Sequence, residues 1–131
     1  MILDNNILFS LMKPDSVASK IFAIGSCFSA PEFVKVELEE YDEECRKKSR
    51  LTKELFEERK KAVFSRIKFV AVAEYKRFLK KALQSVDDVD DVPYVALAMA
   101  TGEPIWSNDP DLKGQKAVVV LTTEDMIKLL S

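Results

Sequence analysis

The sequence predicts an α/β fold, with helices on both faces of a parallel sheet of about four to five strands. Short apolar runs recur at residues 1–3, 27–29, 67–72, 105–107 and 117–121, each of strand length. Stretches with apolar residues every three to four positions separate them, as helices require. No internal repeat or linker-like segment interrupts the alternation. The 131 residues therefore read as one domain, 1–131, able to bury roughly two thirds of its unfolded surface around one core.

In order, Met1-Ile2-Leu3 is a short buried strand ended by Asp4-Asn5-Asn6, which are turn and cap residues. Asn5 or Asn6 begins a first helix with Ile7, Leu8 and Leu11 inward, and Pro14 ends it. Ser16 caps a second helix that Gly25 stops. Pro31 reads as the first residue of a long helix whose apolar positions are Phe33, Val34, Leu38, Tyr41 and Cys45, with Glu37 leaning toward that face. After a break at Ser49 to Leu51, Thr52 starts a helix through about Ser65. A strand at 67–72 follows, then a helix from Ala73 to Ser85 with Tyr75, Phe78, Leu79, Ala82 and Leu83 inward.

Four aspartates, Asp87, Asp88, Asp90 and Asp91, precede an alanine-rich apolar helix that Pro93 opens and Gly102 closes. Thr122 or Thr123 caps a last helix, which Met126, Ile127, Leu129 and Leu130 turn to the core.

Composition narrows the chemistry. Apolar residues at 47% and charged residues at 32% describe a globular chain, with no run near the roughly 20 apolar residues that span a membrane. Met1-Ile2-Leu3-Asp4 lacks the basic start of a signal peptide. Cys27 and Cys45 read as buried free thiols of a reducing cytoplasm. With no histidine and two scattered cysteines, histidine triads and Cys-rich zinc sites are excluded. The net charge of -2 exerts no general pull on nucleic acid. Local basic runs exist at Arg46-Lys47-Lys48 with Arg50, at Arg59-Lys60-Lys61, and at Lys76-Arg77 with Lys80-Lys81.

Carboxylate chemistry is what remains prominent. In an open parallel sheet, ligands bind beyond the carboxyl ends of the strands. Asp4 follows the first strand, and Asp109 follows the strand at 105–107. Asp91 lies at the mouth of one helix and Glu37 about a turn into another. Carboxylates crowded together repel by roughly 4 kcal/mol per close pair at an effective dielectric near 20, and a divalent cation relieves that cost. Hard oxygen donors of this kind suit Mg2+ or Mn2+.

The same residues resemble the PIN-domain family of metal-dependent nucleases, which includes toxin subunits of toxin–antitoxin pairs. An opening Asp-x-Asn-x-x-x-Ser pattern is matched by Asp4-Asn5-Asn6-Ile7-Leu8-Phe9-Ser10, and a Pro-to-Glu-Leu pattern by Pro31 to Glu37-Leu38. Asp91 before Ala96, Ala98 and Gly102 matches the third acid, and Ser107-Asn108-Asp109 the fourth. Asn5 departs from the Thr or Ser common at that place. The resemblance covers the whole chain. It implies a PIN-like domain and a Mg2+- or Mn2+-dependent endoribonuclease, with RNA, single-stranded by preference, as substrate.

By that resemblance Asp4, Glu37, Asp91 and Asp109 hold one or two divalent ions, Asn6 orients Asp4, and Ser107 bonds a carboxylate or phosphate. Asp88, Asp90 or Asp111 shares a role with Asp91 or Asp109. An antitoxin protein and a homodimer are the protein partners implied. The alternative is a PIN-like RNA- or protein-binding module with weak catalysis, against which the presence of all four acids argues. A phosphatase lacks support, because the expected Asp-x-Asp has Asn6 in its second place. Taken singly, these acids also read as helix caps and loop residues, the basic runs as solvated helix faces, and Trp106 as core.

Overall fold

In the computed structural model, which describes residues 1–131, five strands form one sheet. They are β1 (Ile2–Leu3), β2 (Phe28–Pro31), β3 (Ile67–Val70), β4 (Ile105–Trp106) and β5 (Val120–Leu121), in the order β3-β2-β1-β4-β5. All four pairings are parallel. Neighbouring residues of a strand point to opposite faces, yet Ile2 and Leu3, like Ile105 and Trp106, are all fully buried. The sheet is thus covered on both sides, as the alternation of strand and helix predicts.

The chain leaves β1 toward β2 and β3, then returns to add β4 on the other flank of β1. The gap between β1 and β4 is therefore the point where strand order reverses, the usual place for a ligand in such sheets. Leu3 pairs with Trp106 across it, so Asp4 and Ser107 emerge side by side.

The helices are α1 (Asn5–Leu11), α2 (Val17–Ile24), α3 (Val34–Glu40), α4 (Asp42–Ser49), α5 (Lys53–Phe64), α6 (Leu79–Leu83), α7 (Val92–Thr101), α8 (Pro110–Gly114) and α9 (Thr123–Leu129). The central one is α7. It lies against β1, β2 and β4 and buries Val92, Tyr94, Val95, Ala96, Leu97 and Ala98. Its two buried alanines keep the helix close to the sheet, and Leu97 alone stabilises by about 1.5–3 kcal/mol through burial. Gly102, at φ 74°, ends α7 in the left-handed conformation that favours glycine. Ser16 and Thr52 cap α2 and α5 as expected, and Thr122 rather than Thr123 caps α9, in a reciprocal capping box with Asp125.

Several elements differ from expectation. Pro31 does not open a helix; it is the last residue of β2, paired with Val70. Ile2 pairs with Ser29, so at Pro31 the β1 side has already turned into α1 and no neighbour there needs its missing N–H. The single long helix expected from Pro31 is two helices, divided at Tyr41 (φ −105°, ψ 16°). A fresh start is favourable there, since Asp42, Glu43 and Glu44 fill the first turn of α4 and Arg46, Lys47 and Lys48 its last.

The Ala73–Ser85 helix is instead two 3-10 turns, Val72–Glu74 and Lys76–Phe78, followed by α6, with Leu83 exposed rather than inward. The strand expected at 117–121 shortens to β5, and Val119 faces solvent. On α9 only Met126 packs on the core, while Ile127, Leu129 and the C-cap residue Leu130 are exposed. Of the two free cysteines Cys45 is buried but Cys27 is exposed, in a positive-φ residue before β2. Trp106 is core, its Nε1 donating to Thr123 Oγ1 at 3.0 Å. No helix is long and apolar enough to cross a membrane.

Candidate metal centre

Asp4 is a helix cap that stands where the strand order reverses. Its backbone is extended (φ −81°, ψ 173°), and Oδ1 accepts from the Ile7 N–H at 2.8 Å, which makes Asp4 and not Asn5 or Asn6 the N-cap of α1. The other oxygen, Oδ2, accepts from the hydroxyl of Ser107. The Ser107 oxygen in turn accepts from the Asp109 N–H at 3.1 Å. One buried hydroxyl thus joins the acids that leave β1 and β4.

Glu37, half-buried in the first turn of α3, is held at both oxygens. Tyr94 OH on α7 donates to Oε1 at 3.0 Å, and Asn5 Nδ2 on α1 donates to Oε2 at 3.0 Å. Asp91 stands where a 3-10 turn (Val89–Asp91) runs into α7, and makes no capping bond with its side chain. Its oxygens point to no internal donor, which a plain helix cap would have. Asp109 caps α8, accepting from the Asp111 N–H at 2.9 Å.

The electrostatics show mutual proximity. Burial raises Asp4 to about 6 against the hydrogen bonds from Ser107 and Ile7, with Asp109 and Glu37 adding repulsion. Burial also raises Asp91 to about 6, followed by the charges of Asp109, Asp88, Asp4 and Asp90. Glu37 is raised by burial, opposed by Tyr94 and Asn5, and further raised by Asp90 and Glu40. The Tyr94 phenol is pushed up, first by burial and then by Glu37. None of Asp4, Glu37, Asp91 or Asp109 joins an ion pair with a lysine, an arginine or the amino terminus.

This donor set fits a hard divalent cation. It offers carboxylate oxygen and no nitrogen or sulfur donor, and it lacks any cation of its own. No three of the acids are close enough to form a ready-made ligand cluster.

The other expected residues fall differently. Asn6 is exposed and makes no bond to Asp4; the orienting role lies with Ser107 and the Ile7 N–H. Asp88 is exposed and caps the 3-10 turn through the Asp90 N–H at 2.9 Å, acting on Asp91 by charge alone. Asp111 is exposed in the first turn of α8 and contributes its N–H to Asp109. Asn5 and Tyr94 are the residues that sequence reasoning missed. Tyr94 had a signal, since three positions beyond Asp91 a helix returns to the same face.

Two of the three basic runs are partly committed within the chain, while Lys76, Arg77, Lys80 and Lys81 form no ion pair. Lys47 and Lys48 pair with Glu43 and Glu44 at 3.6 and 3.1 Å, and Lys60 pairs with Asp42 at 2.6 Å. Glu57 pairs with Lys60 at 3.4 Å, not with the Lys61 one turn on. Arg59 donates to the Leu11 carbonyl at 2.8 Å and to Ser19 Oγ at 3.2 Å, tying α5 to the end of α1.

Comparison with curated proteins finds no match. The family model for the PIN domain matches residues 2–131, which takes in every strand and helix and all four acids at the carboxyl edge. With that match over the parallel sheet and its switch point, the chain belongs to the PIN-domain family.

Proposed function

We propose that this protein is a Mg2+- or Mn2+-dependent endoribonuclease acting on single-stranded RNA, with Asp4, Glu37, Asp91 and Asp109 holding one or two divalent ions directly or through water. PIN domains are in general nucleases and typically use divalent metals, which supports hydrolysis as the chemistry. The observation that carries the reading is the gathering of four acids at the β1–β4 switch point without a single compensating cation.

A bound divalent ion lowers the pKa of a coordinated water and neutralises charge developing on the phosphate. The chain's own residues prepare for this. Ile7 N–H and Ser107 fix the two oxygens of Asp4, while Tyr94 and Asn5 fix those of Glu37, so both acids are preorganised. Asp91 keeps its oxygens free of internal hydrogen bonds, so they would be available to hold the ion or a water on it, and with no histidine in the chain proton handling would fall to the carboxylates.

In this reading residues 1–131 are a single domain working in a reducing cytoplasm, where Cys27 and Cys45 stay thiols. The exposed apolar side chains of the packed pair α2 and α9, Val17, Ile24, Ile127, Leu129 and Leu130, provide a face for a homodimer. A toxin role, with an antitoxin over the acidic edge, agrees with the family.

Cleavage of a mixed-sequence single-stranded RNA tests the activity. We expect hydrolysis that stops on chelation and returns with Mn2+ or Mg2+, and a loss on the order of 100-fold or more in Asp4→Asn and Asp91→Asn. Chelator-resistant cleavage, or full activity in both variants, would overturn it.

A further inference from the structure

A hollow of about 650 Å3 lies beside the acidic edge and is lined by Asn5, Asn6, Phe9, Ser10, Lys13 and Tyr41 among others. We propose that it is a subsite for one nucleotide of a single-stranded RNA. Tyr41 stacks the base, Asn6 bonds the base edge, and Lys13 neutralises a phosphate. The subsite rests on the reading of the acids as an RNA-hydrolysing centre.

Two helices lead from the acids into this hollow. On α1, Asp4 is the cap and Asn5 holds Glu37, Asn6 and Ser10 follow one turn apart on one side, and Lys13 stands in the turn just past the helix end. On α3, Glu37 is at the site and Tyr41 stands one turn later, its N–H donating to the Glu37 carbonyl at 3.2 Å. One helical turn is about 5.4 Å, so a strand held at the acids reaches Tyr41 with its next unit.

The lining has the chemistry of a nucleotide site. Tyr41 is 46% exposed, and its ring meets that of Phe9 at 6.0 Å tilted by 59° rather than stacked, so the ring is not covered by an aromatic neighbour lying flat on it. Base stacking on such a ring is tolerant of sequence. Asn6 offers an exposed side-chain amide with no partner in the chain. Lys13 is in no ion pair, whereas Lys48 at the far wall is shared with Glu44 at 3.1 Å. The volume lies within the range of small-ligand sites. The polar character of the α1 side favours RNA over the apolar face of a protein helix, which seeks a hydrophobic groove.

The test measures anisotropy of a labelled, mixed-sequence single-stranded RNA of about eight nucleotides, bound in chelator so that nothing is cleaved. We expect Tyr41→Ala to weaken binding by about 5- to 100-fold and Tyr41→Phe to restore it. Lys13→Ala should reduce the salt dependence by about one charge. With Mn2+ present, Tyr41→Ala should raise KM and leave kcat within about twofold.

Unchanged RNA binding in all these variants would overturn the subsite even where the parent cleaves and Asp91→Asn does not. Loss of a bound partner protein in the variants, with RNA binding intact, would assign the hollow to protein and overturn it as well. No RNA binding by the parent would overturn the subsite together with the RNA reading, leaving only the metal response of the acids.

Discussion

The hydroxyl of Ser107 donates to Oδ2 of Asp4 across the β1–β4 boundary, linking residues 103 positions apart in the chain. Both are buried, so the bond forms where water cannot replace it. Ser107→Ala should therefore destabilise the metal-free protein by about 1.5–3 kcal/mol at neutral pH, the usual worth of a bond to a charged group. The loss should shrink at about pH 4, where Asp4 is protonated and needs the donor less. Urea unfolding of both proteins at the two pH values checks this.

Stability without metal should fall as pH rises. Asp4 is at about 6 in the fold against 3.8 as a free group, so between those values the folded state binds more protons than the unfolded one. Its destabilising effect is absent below about pH 4, grows through pH 6 and is complete above, at roughly 3 kcal/mol. Asp91 shifts in the same direction over the same window. Asp125, held down to about 2 by Lys113, changes only below this range. Unfolding in chelator at about pH 4.5 and 7.5 should show the decline, reduced in Asp4→Asn, where the amide still caps α1.

Tyr94→Phe and Asn5→Ala each remove one donor from Glu37. Both should raise the Glu37 pKa further and weaken divalent-ion binding by about 10- to 100-fold, as is usual for groups that orient a ligand. Calorimetric titration with Mn2+ measures it. Equal affinity in both variants would place Glu37 outside the centre.

Arg59→Lys separates structural cations from RNA-binding ones. Arg59 holds Leu11 and Ser19, and a lysine cannot reproduce both contacts. A stability loss of about 1 kcal/mol with an unchanged salt slope for RNA binding is expected.

The features most legible in the sequence were those set by local chemistry at element ends. Asp4 after a strand, Ser16, Thr52 and Gly102 act on their own neighbours, and they read correctly as boundaries. That Asp4 and the segment after β4 emerge at one edge was legible too, because a parallel sheet sends every strand end the same way. Pro31 misled because its place depends on register: helix-opening chemistry became irrelevant once Val70 paired with it and β1 had ended. Asn5 and Tyr94 escaped notice for a similar reason, since their common partner Glu37 lies 32 and 57 residues away. Ile127, Leu129 and Leu130 have an inward-looking pattern on α9 but face solvent, which periodicity alone does not distinguish.

The most direct measurement is the unfolding free energy of chelator-treated protein as Mn2+ is added, for the parent and for Asp91→Asn. At about 100 times its dissociation constant the ion should stabilise the parent by roughly 2.7 kcal/mol, and Asp91→Asn should lose most of that gain at the same concentration. An equal gain in both proteins, or none in the parent, would contradict a metal centre at Asp4, Glu37, Asp91 and Asp109.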